Sequence, residues 1–206
     1  MIAVIDYGTG NLRSVTNAFV ALEAQVCVCD CPKDLGEADK IVLPGVGAFG
    51  DAMQDLHQHG WVEALEENVR RKGKPFLGIC LGLQVLAGVG TEHGTHQGLN
   101  WIPGVVEKIV SDDPDLRVPH IGWNDVRFAR HEEGLSSGLY ETETFYFMHS
   151  YVLKPDDPDV VKGVCDYGIE FAACVEKDNL WATQFHPEKS HKAGLAILRN
   201  FVNVRS

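Results

Sequence analysis

Apolar positions recur along the first part of the chain in two alternating patterns. Short apolar runs at residues 1–5, 26–29, 41–43 and 76–79 predict strands, and the stretches between them carry apolar residues at helical spacing. Leu12, Val15, Phe19 and Leu22 fall three or four apart, on one side of a helix, and helical stretches are expected at 51–59 and 61–72. Strand and helix in alternation predict an α/β fold with a mostly parallel central sheet flanked by helices. Ligands of such sheets collect at the carboxyl ends of the strands. Asp6-Tyr7-Gly8, Pro44-Gly45-Val46-Gly47 and Cys80 each follow a strand end, so all three belong on one rim.

From Gly98 onward the pattern changes. Short apolar runs separated by turn residues, at 98–102, 105–110, 124–128, 144–148, 160–166, 171–176 and 180–184, predict an additional antiparallel or mixed strand region. Residues 112–117 and 154–159, rich in Asp and Pro, are expected as exposed loops. A closing helix at 190–203 carries Leu195, Leu198, Phe201 and Val202 on one side. Without a repeat, a low-complexity stretch or a linker, residues 1–206 are expected to form a single domain.

Composition narrows the class without naming the chemistry. The formal charge of −11, with no basic block to offset it, argues against nucleic acid and anionic membrane as partners. No apolar run reaches the length of a membrane span, and the chain opens on a strand pattern rather than a signal sequence. The six cysteines are therefore expected as thiols in a cytoplasmic protein.

Gly78-Ile79-Cys80-Leu81-Gly82-Leu83-Gln84 changes the picture most. Here an apolar strand gives way to a helical pattern (Leu83, Leu86, Ala87), with a cysteine between two glycines. That is the cysteine form of a nucleophile elbow, whose sharp turn leaves no room for a Cβ on either side. A helix start favours a thiolate through its partial positive charge, and its free N–H groups suit an oxyanion. A small buried cysteine ending a strand is the plainer alternative.

Downstream, Gln184-Phe185-His186-Pro187-Glu188 supplies a base. Residues two apart in an extended segment share a side, so Glu188 can fix the imidazole of His186. That imidazole would take the thiol proton and return it to a leaving group. A histidine by itself is more often a core or surface residue, but the Gly-x-Cys-x-Gly elbow in the same chain shifts the balance toward a triad.

Two other patterns lead elsewhere. Cys27, Cys29 and Cys31 alternate along a strand expected at 25–31, but zinc sites use Cys pairs with a second half, and none is visible. They are expected to pack on one sheet face, Cys165 and Cys174 belong in the core, and neither a metal nor a cofactor is expected. Asp6-Tyr7-Gly8-Thr9-Gly10-Asn11 lacks the third glycine of a dinucleotide fingerprint and the Gly-Lys-Ser/Thr of a P-loop.

Elbow, PGVGAFGDA at 44–52 and QFHPEKS at 184–190 together resemble the class I, triad-type glutamine amidotransferases. DYGTGNLRSV at 6–15, PHIGWN at 119–124, FYFMHSY at 145–151 and GLAILRNF at 194–201 resemble, more narrowly, the family of glutaminase subunits of imidazole glycerol phosphate synthases, from histidine biosynthesis. The resemblance runs in order from Asp6 to Phe201. Leu83 stands where Met is frequent in that family, a swap that keeps volume and apolarity.

The resemblance implies the class I glutamine amidotransferase fold and catalytic roles for Cys80, His186 and Glu188. It implies an oxyanion site shared by the N–H groups of Leu81 and Val46. It also implies contacts to L-glutamine from Gly47, Gln84, His149, Ser150 and Tyr151. Gln84 lies one helical turn after Cys80 and can face the same pocket, although a helix surface is the commoner place for Gln. Asn11 and Trp123 are implied at a partner interface, Trp123 having a core plug as its alternative. The implied activity is glutamine hydrolysis through a cysteinyl thioester. The implied partner is a separate cyclase subunit, a (β/α)₈ barrel that forms a heterodimer and uses the ammonia. Rivals are a different synthase partner (anthranilate or pyridoxal phosphate), a catalytically silent scaffold on the same fold, and a Cys-His-Glu peptidase.

Overall fold

The structure, a computed structural model, describes residues 1–111, 113, 115–129 and 134–204. The first half runs β1 (Ile2–Ile5), α1 (Leu12–Ala21), β2 (Val26–Cys29), β3 (Lys40–Gly45), α2 (Phe49–Gln58), α3 (Trp61–Leu65), β4 (Phe76–Cys80) and α4 (Leu81–Gln84). There follow β5 (Val89–Gly90), β6 (His96–Gln97), β7 (Gly104–Lys108), β8 (His120–Phe128), β9 (Thr142–His149), β10 (Tyr151–Pro155), β11 (Val161–Asp166), β12 (Glu170–Lys177), β13 (Leu180–Thr183) and α5 (His191–Asn203).

Nine strands form one sheet in the order β2-β1-β3-β4-β13-β12-β11-β8-β9. Pairing is parallel from β2 across to β13 and antiparallel from β13 to β9, so the predicted parallel and mixed regions share one sheet. The remaining strands make a small sheet, β10-β7-β5-β6. Side chains of β1 alternate between two cores: Ile2 and Val4 pack with Val15, Phe19, Leu198 and Phe201 of α1 and α5, while Ala3 and Ile5 pack with Phe49, Met53, Leu56 and Trp61 on the other face. Burial on both faces is why the central strands read as unbroken apolar runs. In α1 the buried positions Val15, Ala18 and Phe19 reproduce the helical spacing of the sequence.

Four expectations need correction. Residues 98–102 are no strand. Their N–H groups instead bond carbonyls at the exit of the elbow, Leu99 to Val85 (2.8 Å), Asn100 to Ala87 (2.9 Å), and Trp101 and Ile102 to Leu86 (3.0 Å each). The apolar run there signals core plugs, Trp101 and Ile102, in an irregular segment. Residues 154–159 are in part a strand, because Lys154 and Pro155 pair with Val105 and Gly104 in β10–β7. The helix expected at 61–72 changes at Glu66 into a π-helical turn running to Arg71. Buried Asn68 donates to the Ala64 carbonyl at 2.9 Å, taking the acceptor that a regular ladder would use. Cys31 lies outside β2, so only Cys27 and Cys29 share its face. In the loop expected at 112–117, Asp112 and Pro114 lie outside the described residues.

Two features place the rim. In the β3–β4 register Gly45 stands opposite Cys80, which sets the Pro44–Gly47 turn beside the elbow. β13 lies against β4 on its other side, so the segment that leaves β13 toward His186 also emerges next to Cys80.

Candidate active site

Cys80 adopts φ +55°, ψ −104°, a backbone state that L-residues rarely occupy and that costs about 1–3 kcal/mol. The flanking glycines allow it. A Cβ on Gly78 would stand 2.4 Å from the Gly82 carbonyl oxygen, and one on Gly82 only 1.9 Å from the Leu43 carbonyl oxygen. The turn leads straight into the single-turn helix α4, and Cys80 is 5% exposed. Gly45 is confined by its neighbours in the fold. Its missing side chain makes room for the Tyr7 hydroxyl (2.5 Å) and the Leu81 Cβ (2.8 Å), not for the cleft. Freedom of the loop resides in Gly47, at φ +108° with open space around it.

His186 and Glu188 meet the elbow from the end of β13. Nδ1 of His186 lies 2.9 Å from Oε1 of Glu188, and both side chains are almost wholly buried. The contact is made across the start of a 3₁₀ turn, Pro187–Lys189, rather than within an extended strand. Burial alone pushes the imidazole pKa of His186 down, but the Cys80 sulfur and the Glu188 carboxylate beside it hold it up, at about 10. Nε2 has no hydrogen-bond partner among the described residues, which leaves it available on the Cys80 side. Backbone clamps hold the ring: His186 N–H donates to Tyr146 O (2.9 Å), its carbonyl accepts from Ser190 Oγ (2.6 Å), and that oxygen accepts from Tyr146 N–H (3.0 Å).

A cleft of about 300 Å³ opens over the sulfur, lined by Val46, Gly47, Cys80, Leu81, Gln84, Glu92, Pro119, Met148, His149, Ser150 and Tyr151. It is at the small end of ligand clefts, suited to one small polar molecule rather than an extended chain. Every residue expected at the oxyanion site or against the substrate therefore lines the same space as Cys80. Gln84 does not lie on a surface: it is 5% exposed, and its Nε2 donates to Tyr151 O (2.8 Å) and to Gln184 Oε1 (3.1 Å). Glu92, which carried no signal in the sequence, accepts from the Phe49 N–H (2.9 Å) and so ties the start of α2 to the cleft.

Behind the cleft wall two histidines are fixed by their partners. His149 Nδ1 lies 3.0 Å from Tyr151 O and must donate, leaving Nε2 to accept from His120 Nδ1 at 3.1 Å. His120 is stacked between Phe147 (4.7 Å) and Tyr167 (3.8 Å), and Asn124 Nδ2 approaches its other nitrogen at 3.4 Å. Burial pushes the His120 pKa down to about 4. Burial, then the neighbouring His120, pushes that of His149 to about 3, against the Tyr151 carbonyl. Both rings are neutral in the fold and take up protons near pH ~6.5 once unfolded. Stability should therefore fall as pH drops from about 6.5 toward 4, each ring contributing a loss of ~2 kcal/mol by pH 5. His186 runs the other way, its contribution being complete below pH ~6.5 and lost as pH rises toward 10. Thermal unfolding at pH 7.5 and 5.0 checks this: His120→Gln, which keeps a donor for His149, should shrink the acid loss by about half. An undiminished loss would show that His120 does not carry it.

The two interface candidates lie outside the cleft. Asn11 Oδ1 accepts from Ser14 N–H at 3.4 Å and caps α1. Trp123 is 47% exposed, which removes the core-plug alternative. It stacks on His191 (4.8 Å) and meets Tyr146 edge-on across the strand pair (5.9 Å). Sequence alone missed Gln184, fully buried with Nε2 3.6 Å from Cys80 Sγ. Its place two residues before His186, on the same side of an extended segment, was the available signal.

Comparison with known proteins agrees with this geometry. Residues 3–204 match the family described as Glutamine amidotransferase class-I. The chain is 48% identical over 208 residues to the Imidazole glycerol phosphate synthase subunit HisH of Geobacter sulfurreducens, with 99% of each chain covered. It is 51% identical over 204 residues to the protein of the same name from Methanothermobacter thermautotrophicus, covering 99% of this chain and 98% of that one. Among solved structures it is similar to PurLQS from Thermotoga maritima (TM-score 0.76, 17% identity, 98% of this chain and 97% of that chain). A crystal structure described as a glutamine amidotransferase gives a TM-score of 0.75 at 17% identity, covering 99% of this chain and all of that one. At such identities the structural likeness is one of fold.

Proposed function

The chain belongs to the class-I glutamine amidotransferases, and from that premise we propose that it is the glutamine-hydrolysing subunit of an imidazole glycerol phosphate synthase. The observation that carries the chemistry is a cysteine on a strained elbow, with the buried His186–Glu188 pair beside it, in the lining of a small cleft.

In the proposed reaction the Cys80 thiolate attacks the side-chain amide carbon of L-glutamine. The developing oxyanion is held by the N–H groups of Leu81 and Val46. His186, kept as imidazolium by its neighbours, gives its proton to the leaving nitrogen, and ammonia departs from a glutamyl thioester. The neutral imidazole then takes a proton from water, which attacks the thioester and releases glutamate. Glu188 fixes the ring tautomer and stabilises its cation throughout. Gly47, Gln84, His149, Ser150 and Tyr151 form the wall that holds the amino-acid end of glutamine. Gln84 offers substrate its Oε1 as acceptor, because Nε2 is committed to Tyr151 O and Gln184 Oε1.

Ammonia set free in water would be mostly protonated, so it passes to a synthase subunit, for which the proposed identity is a (β/α)₈ cyclase in a heterodimer. Asn11 and half-exposed Trp123 are the proposed contacts. Residues 1–206 act as one domain, and the proposed setting is the cytoplasm; no described helix is long and apolar enough to cross a membrane.

The test is glutamate release by the chain alone, with a cyclase subunit, and with cyclase plus its ribotide ligand. Turnover should rise ~10²-fold or more from the first to the last, since biasing the Val46–Gly47 loop by a few kcal/mol suffices. Absence of glutaminase activity in all three would overturn the assignment.

A further inference from the structure

Gln184 is a buried polar side chain for which the steps above give no task. Fully enclosed, it places Nε2 3.6 Å from the Cys80 sulfur. Its orientation is not free. Gln84 Nε2 donates to Tyr151 O and to Gln184 Oε1, so the oxygen of Gln184 must face Gln84 and its NH₂ must face the sulfur. The sulfur therefore has an acceptor on one side, the Met148 carbonyl at 3.9 Å, and an amide donor on another. An S–H uses the first; a thiolate is stabilised by the second.

We propose that Gln184 is a catalytic residue, its amide N–H donating to the Cys80 sulfur whenever that sulfur carries negative charge. The sulfur does so twice per turnover, before it attacks the amide and as it leaves the tetrahedral adduct in thioester hydrolysis. No proton changes hands between the two residues; the hydrogen bond lowers the cost of the anion at both points. The amide complements His186, whose proton leaves with the ammonia, because Gln184 keeps its own protons through the cycle. Other groups near the sulfur do not duplicate it. Tyr7 is a phenol that burial raises to about 12, and His149 is neutral with its protonated nitrogen turned to Tyr151. Glu92, across the cleft, is an acceptor.

This inference rests on Cys80 being the nucleophile. The experiment measures alkylation of Cys80 by iodoacetamide in the full chain against pH, read by mass spectrometry of its peptide. Wild type is compared with Gln184→Met, which keeps the volume and removes the amide. A second variant, Gln184→Asn, keeps the amide but draws it one methylene away. In both, the midpoint at which Cys80 becomes reactive should rise by about one pH unit, with alkylation at neutral pH slowed roughly tenfold. In the complex, kcat should fall about tenfold while KM stays within about twofold, because the bond is made to the nucleophile and not to the substrate. A wild-type midpoint in either variant overturns the inference. If wild-type Cys80 reacts no faster than Cys27 and Cys31, the proposed function itself fails, and the two failures are told apart.

Discussion

Replacing Cys80 by alanine should take glutamine-dependent synthesis below detection, a loss on the order of 10⁴-fold or more, while synthesis from added ammonium salts survives in the complex. The loss is large because Cys80 is the one thiol among the described residues that line the cleft, and water attacking an amide directly lacks an activated path. The ammonia route survives because, in the proposed division of labour, the ammonia-consuming site belongs to the partner. An electrophilic glutamine analogue should label Cys80 and spare the other five cysteines. Burial raises the thiol pKa of Cys29, raises that of Cys165 to about 12, and raises that of Cys174 well above its usual value, so they stay protonated. Cys27 and Cys31 are half-buried and lie outside the cleft. Wild-type glutaminase turnover in Cys80→Ala would remove the elbow from the mechanism.

Loss of His186 should be nearly as severe, and loss of Glu188 milder. On the proposed mechanism His186→Ala removes both the counter-ion of the thiolate and the proton for the leaving nitrogen, so turnover should fall ~10⁴-fold. Glu188→Gln keeps a side chain of the same size but withdraws the charge that helps hold the imidazole at about 10. The alkaline limb of kcat/KM should therefore move to lower pH in Glu188→Gln, since an unsupported imidazolium gives up its proton sooner. Because the two residues work through one ring, the double variant should be little worse than His186→Ala alone. Multiplicative losses in kcat would mean that Glu188 acts on something other than His186.

Much of this arrangement is legible from residue order. The spacing of Leu12, Val15 and Phe19, the apolar runs of β1, β3 and β4, and the glycine frame of Cys80 each encode a local constraint, and local constraints survive in a linear pattern. The His186–Glu188 contact was expected from extended-chain geometry; it forms through a 3₁₀ turn instead, because Pro187 starts a turn as readily as it stiffens a strand. What the pattern does not carry is the identity of a neighbour across the fold. Trp101 and Ile102 look like strand residues because burial, not pairing, selects them. Gly45 follows a strand end on the rim, although its constraint comes from Tyr7 and Leu81, which only tertiary packing brings to it. Gln184 shows in the sequence only as a place two residues before His186, since its partners Gln84 and Cys80 lie 100 and 104 residues away.

That separation sets a time at which the enzyme can begin to work. Cys80 ends β4, and the segment bearing Gln184 and His186 leaves β13, a strand inserted in mid-sheet between β4 and β12. A chain emerging from the ribosome carries the proposed nucleophile from early on, yet it has neither the proposed base nor the proposed amide donor until residues 184–186 are out. Long-range parallel pairing is also a slow step in folding. On the proposed mechanism, docking of β13 acts as a completion check: an unfinished or misassembled copy would hold an idle thiol and hydrolyse no glutamine.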